Sequence, residues 1–334
     1  MTAATAHSVP IPHSDEQIPV IGFGSGTSWQ WKKKASESTA VSADKPSNVD
    51  PDLVQSIVDA LETGFSHVDT AEFYTTRPDV GQAVNDYLKK HPEKKRSDVF
   101  VTDKYNSHPP DTPNVLADGS IRGPYASLKQ GLQLMKLDYI DLFLLHTADT
   151  PDGLSLEDAW REMIRLRDEG LVKNIGVSNF DVPHLQQLQK ATSVLPQVLQ
   201  LEFHPYLQNQ SPGVHEFCRN NNILIEAYGP LVPITKAKEG PLIPLLAELT
   251  AKYGVSETQI LLKWAHSFGV VTVTTSSKIE RMKDILGVFD LELSAEDLKK
   301  ITDVGNSWFF RAFAIPPLPT WDEQLKKERN VLNI

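Results

Sequence analysis

The sequence is short of cysteine, of positive charge and of long apolar runs. A single cysteine, Cys218, stands among 334 residues. That excludes an intrachain disulfide framework and any metal site built from several thiolates. Lys and Arg total 33 against 43 Asp and Glu, a formal net charge of −10. This balance speaks against a nucleic-acid binder, which carries a basic face. No run approaches the ~18 consecutive apolar residues of a transmembrane helix. Residues 1–20 lack the basic start and apolar stretch of a secretory signal, and residues 331–334 carry no lipidation signal. The expectation is a cytoplasmic protein that binds neither nucleic acid nor membrane. At ~100–200 residues per domain, the length allows one large domain or two medium ones.

What is present is an alternation of short apolar runs and amphipathic stretches. Asp50 and Pro51 form an N-cap and first-turn signal, and Val54, Ile57, Val58 and Leu61 recur at helical spacing. Gly64 then reads as a helix stop, and residues 65–69 follow as a short strand. The unit recurs. Strand-like runs lie at 98–102, 139–145, 172–177, 197–201, 223–227 and 270–273, with helices opening at Ser155, Ser211, Ser256 and Ser294. Ser155 with Asp158 has the spacing of a capping box. Strands separated by helices are βαβ units of a parallel sheet. About eight of them predict an α/β protein made of one (β/α)8 TIM barrel over residues 1–334. The rival, an open doubly wound sheet, usually carries Gly-x-Gly-x-x-Gly after its first strand. Gly22, Gly24 and Gly26 are spaced differently and read as a turn. Residues 29–49, 105–123 and 306–322 read as long loops.

In such a barrel, reactive groups sit at the C-terminal ends of strands. The polar residues there are Asp69 with Tyr74 beyond it, Lys104, His146, Ser178, Asn179, Gln200, Glu202, His204 and Tyr228. Each alone has a plain structural reading: a helix cap, a rim aromatic, a solvated charge, a core histidine. Ser178 and Asn179 are placed to cap a helix starting at 181–183, and Gln200 to satisfy backbone. Glu202 and His204 read as structural, because no third ligand points to a metal. His67 reads as facing away from substrate, below Asp69. Asp69, Tyr74, Lys104 and His146 at successive strand ends nevertheless form a chemical set. A free tyrosine has a pKa of ~10. An ammonium beside it stabilises the phenolate and lowers that value. A carboxylate holds the lysine, and a histidine orients a carbonyl oxygen. This is apparatus for protonating an alkoxide as hydride arrives.

Gly64-Phe65-Ser66-His67-Val68-Asp69-Thr70-Ala71-Glu72-Phe73-Tyr74 resembles the signature of the aldo-keto reductase superfamily. So do Leu145-His146, Gly176-Val177-Ser178-Asn179-Phe180, Gln200-Leu201-Glu202-Phe203-His204-Pro205 and Tyr228-Gly229-Pro230-Leu231, in family order from about residue 18 to 311. The resemblance implies a (β/α)8 barrel that binds NAD(P)H without a Rossmann domain, and a tetrad of Asp69, Tyr74, Lys104 and His146 with Tyr74 as general acid. It implies that Ser178, Asn179 and Gln200 bond the nicotinamide carboxamide, that Tyr228 stacks on the nicotinamide, and that Gly229 and Leu231 lie along the pyrophosphate path.

The chain departs from the family pattern in places. Thr275 stands where a lysine is usual, Ile285 where an asparagine meets adenine, Gly229 where serine is usual, and Thr76 where asparagine follows the catalytic tyrosine. Thr274, Thr275, Ser276, Ser277, Lys278 and Arg281 still offer the hydroxyls and cations that a 2′-phosphate wants, which favours NADPH. The competing reading makes Lys278 and Arg281 solvated charges on a helix start, and an NAD-type site would use Glu280 or Asp284 as its carboxylate. The string 274–278, Gly24-Ser25-Gly26-Thr27 and the tail around Asn306 and Arg311-Ala312-Phe313 are similar to a fungal group. It contains conjugated polyketone reductases, which reduce ketopantoyl lactone and isatin-type dicarbonyls; D-arabinose dehydrogenases are relatives.

Trp29, Trp31, Phe73 and Trp308 to Phe310 are the pocket candidates, and Lys32 to Lys34 read as a solubilising face. The leading expectation is an NADPH-dependent reductase of a small-molecule ketone or aldehyde, working as a monomer or weak dimer and holding no metal. The alternatives are an NAD(P)-dependent sugar dehydrogenase and a non-catalytic NADPH-binding barrel subunit.

Overall fold

The computed structural model describes residues 7–35, 49–109 and 113–313. A hairpin of β1 (Ser8–Pro10) and β2 (Gln17–Pro19) comes first, antiparallel, with Val9 opposite Ile18. Eight further strands follow: β3 (Ile21–Gly24), β4 (His67–Asp69), β5 (Phe100–Tyr105), β6 (Ile140–Leu145), β7 (Val172–Ser178), β8 (Val198–Glu202), β9 (Leu224–Tyr228) and β10 (Val271–Thr274). They close in the order β10-β3-β4-β5-β6-β7-β8-β9, every neighbour parallel. The result is the (β/α)8 TIM barrel.

The strand period of two divides the residues between two cores. Val68, Val101, Phe143, Ile175, Leu199 and Ala227 face outward and pack with Ile57, Val84, Leu132, Trp160, Leu188 and Leu261 of the surrounding helices. Phe100, Leu142, Leu144, Val198 and Val271 face inward and cluster with Ile11 and Ile18 of the N-terminal hairpin. The lower half of the barrel is thereby filled with apolar side chains. Asn174 is a polar exception there, held by Gln197 at 3.1 Å; the tetrad residues lie in the upper half.

The helix signals are realised with small shifts. The first strong one becomes the helix Pro51–Thr63, with the Asp50 carboxylate accepting from the Asp52 N–H and Gly64 in positive φ at 122°. At Ser155 the box is half formed. The hydroxyl accepts from the Asp158 N–H, but the Asp158 carboxylate accepts from that same hydroxyl and not from backbone. A reciprocal box stands at Ser256 and Gln259. The helix expected at Ser211 begins at Val214, after Gly213 in left-handed backbone.

Three expectations change. Gly22 and Gly24 are not a turn but part of β3. A Cβ at Gly22 would stand 2.9 Å from Nδ1 of His67, whose ring fills the barrel interior, so glycine here permits close approach. The stretch 29–49 opens with a helix, Ser28–Ala35, and residues 36–48 of it lie outside the described residues. Its Lys33 is buried and ion-paired with buried Asp79, so it is no solubilising face. Lys32 pairs with Asp50 at 3.0 Å. Finally, β5 runs to Tyr105, which carries Lys104 within a strand, and the following loop holds an antiparallel bridge from Val115 to Ile121. Of the stretch 306–322, Asn306 ends the helix Ala295–Asn306 and residues 314–322 lie outside the described residues. Among the described residues no helix is long and apolar enough to cross a membrane.

Candidate active site

β4 ends at Asp69, and a single 3-10 turn, Glu72–Tyr74, swings Tyr74 back over the strand ends. Inward alternation on β5 aims Lys104 at the same point. Its Nζ lies 2.7 Å from both Asp69 oxygens and 2.9 Å from the Thr70 carbonyl. The ammonium sits 5.1 Å from the centre of the Tyr74 ring. His146, one residue past β6, meets that ring edge to face at 5.7 Å and the Phe73 ring at 6.4 Å. The four residues expected to act together are therefore assembled at one end of the barrel.

Their electrostatics differ from the expectation in one respect. Burial raises the Tyr74 hydroxyl above its ordinary value, and Lys104 opposes this without reversing it. Burial works to lower Lys104, yet Asp69 outweighs it and the ammonium stands above its ordinary value. Tyr74 thus keeps its proton at neutral pH while Lys104 keeps its charge. The lysine tempers the tyrosine; it does not turn it into a phenolate.

Gln200, inward on β8, donates its amide to Asp69 Oδ2 at 2.9 Å and to Glu226 Oε2 at 2.7 Å. It satisfies carboxylates, not backbone. Ser178 and Asn179 do not cap the helix Val182–Thr192; Asp181 does, accepting from the His184 N–H at 3.0 Å. Asn179, in left-handed backbone at φ 62°, donates to the His146 carbonyl and to Ser178 Oγ, each at 3.0 Å, and accepts from the Tyr228 hydroxyl at 2.7 Å. The Tyr228 hydroxyl is also 3.2 Å from Gln210 Oε1. Ser178, Asn179, Gln200 and Tyr228 thus sit on adjoining strand ends β7, β8 and β9.

Gly229 follows Tyr228 at φ 68°, a left-handed conformation that disfavours the serine usual there. A Cβ would also come within 3.0 Å of the Phe313 ring. Leu231 then precedes the short helix Val232–Thr235. Phe313 meets Tyr228 edge to face at 5.4 Å. The segment that carries it is fixed by Glu202, which accepts from the backbone N–H of Ala312 at 2.7 Å and of Phe313 at 3.2 Å. Glu202 also accepts from His204 at 2.9 Å, consistent with a structural role for both.

At the end of β10 the string Thr274 to Arg281 leads into the helix Ile279–Leu286. The Thr275 hydroxyl is buried without a hydrogen-bond partner. Ser276 Oγ accepts from the Lys278 N–H at 3.1 Å. Ser277, Lys278 and Arg281 are exposed, and the Lys278 and Arg281 side chains enter no ion pair among the described residues. Ile285 is buried among the residues of the outer core. Thr76 joins a hydroxyl cluster with Ser25 at 2.8 Å and Thr70 at 2.9 Å.

Of the aromatic pocket candidates, Phe73 is brought against a tetrad ring, that of His146. Trp308 instead packs edge to face on Tyr206 at 4.9 Å and beside Phe310 at 5.6 Å. Trp31 is exposed, and Trp29 is half-buried under the Lys32 ammonium. Two features went unread in the sequence. One is Glu226, buried below Gln200; its inward position two residues before Tyr228 was the available signal. The other is a charged network outside the barrel wall. Arg77 reaches Asp103 at 2.8 Å and Glu72 at 3.2 Å. Arg122 pairs with Glu72, while Ser127 donates to Glu72 Oε2 at 2.9 Å. This network locks the turn that carries Tyr74.

Comparison with known proteins bears on the family and the fold. The sequence profile of the Aldo/keto reductase family matches residues 21–306. The NADPH-dependent alpha-keto amide reductase of Saccharomyces cerevisiae is 41% identical over 302 residues, covering 88% of this chain and 89% of its own. The NAD/NADP-dependent indole-3-acetaldehyde reductase of Schizosaccharomyces pombe is 34% identical over 299 residues, covering 89% and 95%. Among solved structures, an aldo/keto reductase of Brucella melitensis matches with a TM-score of 0.69 at 28% identity, covering 90% and 100%. A Bombyx mori aldo-keto reductase in complex with NADP gives 0.75 at 24% identity over 94% and 96%, a likeness of fold. The chain belongs to the aldo/keto reductase family of oxidoreductases.

Proposed function

We propose that the protein is an NADPH-dependent carbonyl reductase of a small ketone or aldehyde, with a 1,2-dicarbonyl, ketolactone or keto amide as the preferred class. The observation that carries this is Tyr74, half-buried with its hydroxyl held above its ordinary pKa by burial, between the Asp69–Lys104 pair and His146. The residues present fit the cofactor. Lys278 and Arg281 enter no ion pair among the described residues and follow Thr275, whose buried hydroxyl lacks a hydrogen-bond partner, on the same segment; Arg in particular suits a 2′-phosphate. Ser276 and Ser277 add hydroxyls, and Thr274 ends the strand that leads to them. Gln200 has both amide hydrogens committed to carboxylates, which leaves its carbonyl oxygen for the carboxamide. Ser178 and Asn179 lie beside it. Tyr228 presents a ring whose hydroxyl is fixed from two sides, and Gly229 and Leu231 open the backbone path next to it.

Bound NADPH supplies the hydride. His146 and Tyr74 hold the substrate carbonyl oxygen between them. As charge grows on that oxygen, Tyr74 delivers its proton. Lys104 then stabilises the resulting phenolate, and Asp69 keeps Lys104 charged and in place. Phe73, beside His146, supplies apolar surface for the substrate. We also read residues 1–334 as one cytoplasmic domain that works as a monomer or weak dimer.

The direct test follows reduced-nicotinamide absorbance with NADPH and NADH in parallel, offering ketopantoyl lactone, isatin, a 2-oxo amide and a simple aldehyde. D-Arabinose with oxidised cofactor tests the reverse direction. Fast loss of NADPH with a dicarbonyl, and slow loss of NADH, is the expected result. Turnover with sugar alone would replace this reading by a dehydrogenase. Tight NADPH binding without any turnover would replace it by a binding subunit.

A further inference from the structure

Two carboxylates lie within reach of the single amide of Gln200, and they are satisfied very differently. Asp69 receives Lys104 on both oxygens and Gln200 on Oδ2, three hydrogen bonds in all. Glu226 receives one hydrogen bond, from Gln200 on Oε2. Its Oε1 is buried without a partner, 3.7 Å from Nε2 of His67 and beyond hydrogen-bond range. An ionised carboxylate accepts several hydrogen bonds, and stripping it of water without them is costly. The site is built for the neutral acid.

The surrounding groups agree. From β4 the site is faced by Asp69 and by His67, which burial pushes down to about 3 and keeps neutral. From β5 it is faced by Lys104, and Tyr74, on the turn after β4, feels its field. From β8 it meets Gln200. Burial, with Asp69 beside it, raises the Glu226 carboxyl to about 8. With Glu226 neutral, the buried cluster holds one anion, Asp69, and one cation, Lys104. With Glu226 ionised it holds an excess negative charge, which tightens the grip of Tyr74 on its proton.

We propose that Glu226 is a positioning residue of the reduction: as a neutral acid at physiological pH it holds Gln200 against Asp69 and keeps the Asp69–Lys104 pair charge-balanced beneath the Tyr74 acid. It touches neither substrate nor reacting atoms and acts through Gln200 and Asp69. Its ionisation weakens Tyr74 as an acid, so it sets the alkaline limit of the reaction.

The test has two readouts. The first needs no cofactor and is independent of the proposed function. Infrared spectra of the protein labelled with 13C-glutamate should show a carboxylic-acid carbonyl band that disappears as pH rises through about 8. The band should be absent in Glu226→Gln, which separates it from Glu162, another carboxyl raised by burial. If no such band titrates in the labelled native protein, the proposal fails, whether or not the variant folds. The second readout rests on the reading of Tyr74 as acid. The single-turnover rate of NADPH-dependent reduction should fall several-fold across the same pH range in the native enzyme and stay flat in Glu226→Gln. An unchanged alkaline limb in the variant would overturn the proposal alone. Turnover retained by Tyr74→Phe would instead overturn the functional reading.

Discussion

The two ends of the proposed cofactor site handle charge in opposite ways. At the reaction centre, Asp69 and Lys104 are buried and fully partnered. At the far end, Lys278 and Arg281 are exposed and enter no ion pair among the described residues. Groups that act on a reacting atom have to be held before the substrate arrives, because reorganisation during the reaction costs rate. Groups that recognise a phosphate can wait for the ligand, because the ligand completes their hydrogen bonds. Damage to the first region should therefore appear in rate or in folding, and damage to the second in affinity.

The largest effect is expected from Tyr74→Phe. A positioned general acid contributes about 10²–10⁴-fold, so single-turnover reduction should slow by that factor while NADPH affinity stays within about twofold of native, since the phenyl ring remains in place. Equal losses in rate and affinity would break the division between the two regions. Arg122→Ala probes the folding side of the same region. Burial lowers the Arg122 guanidinium to about 10, and its removal leaves Glu72 buried with part of its compensation gone. Breaking such a pair costs about 3–5 kcal/mol. Arg77, 3.2 Å from the same Glu72 oxygen, places the expected loss at the lower end. Urea unfolding measures it.

At the other end, Lys278→Ala with Arg281→Ala should weaken NADPH binding by about 10- to 100-fold, one to two charge-assisted hydrogen bonds, with NADH affinity changed less than about twofold. Both groups are exposed, so the difference should shrink as ionic strength rises. Fluorescence titration at low and high salt measures both. A matching loss for NADH would remove the 2′-phosphate from the reading, and a salt-independent loss would mean the two cations are less exposed in the bound state.

The same division explains what could be read from the sequence. Asp69, Lys104, His146 and Tyr228 were legible because each is a polar residue ending an apolar run, and a barrel puts such residues together. Glu226 was hidden by its neighbours: in Leu224-Ile225-Glu226-Ala227-Tyr228 the inward and outward positions are both largely apolar, so the period of two is faint. The Glu72–Arg122 pair joins residues 50 apart, a contact that no local pattern encodes. Gly22 misled because its reason is a histidine on the next strand. The packing of Trp308 on Tyr206 was not legible, because it joins residues about a hundred positions apart that no local pattern links. The sign of the Tyr74 shift escaped because sequence shows the lysine but not the depth of burial.

The smallest expected effect comes from an ion pair that belongs to neither end. Lys299 and Asp303 pair at 2.7 Å on the exposed face of the helix Ala295–Asn306, both well exposed. Exposed pairs of this spacing contribute about 0.3–0.5 kcal/mol. Here the orientation is the weaker one, with the cation N-terminal to the anion, and Asp303 lies in the last turn, where the helix dipole disfavours negative charge. Lys299→Ala should therefore change urea stability by less than about 0.5 kcal/mol, against several kcal/mol for Arg122→Ala. Both variants delete one cation facing one carboxylate; the chief difference is burial, and the second cation on Glu72, Arg77, works against a large loss. If Lys299→Ala cost as much as Arg122→Ala, the distances alone would decide, and the contrast between enclosed and open charges would lose its physical basis.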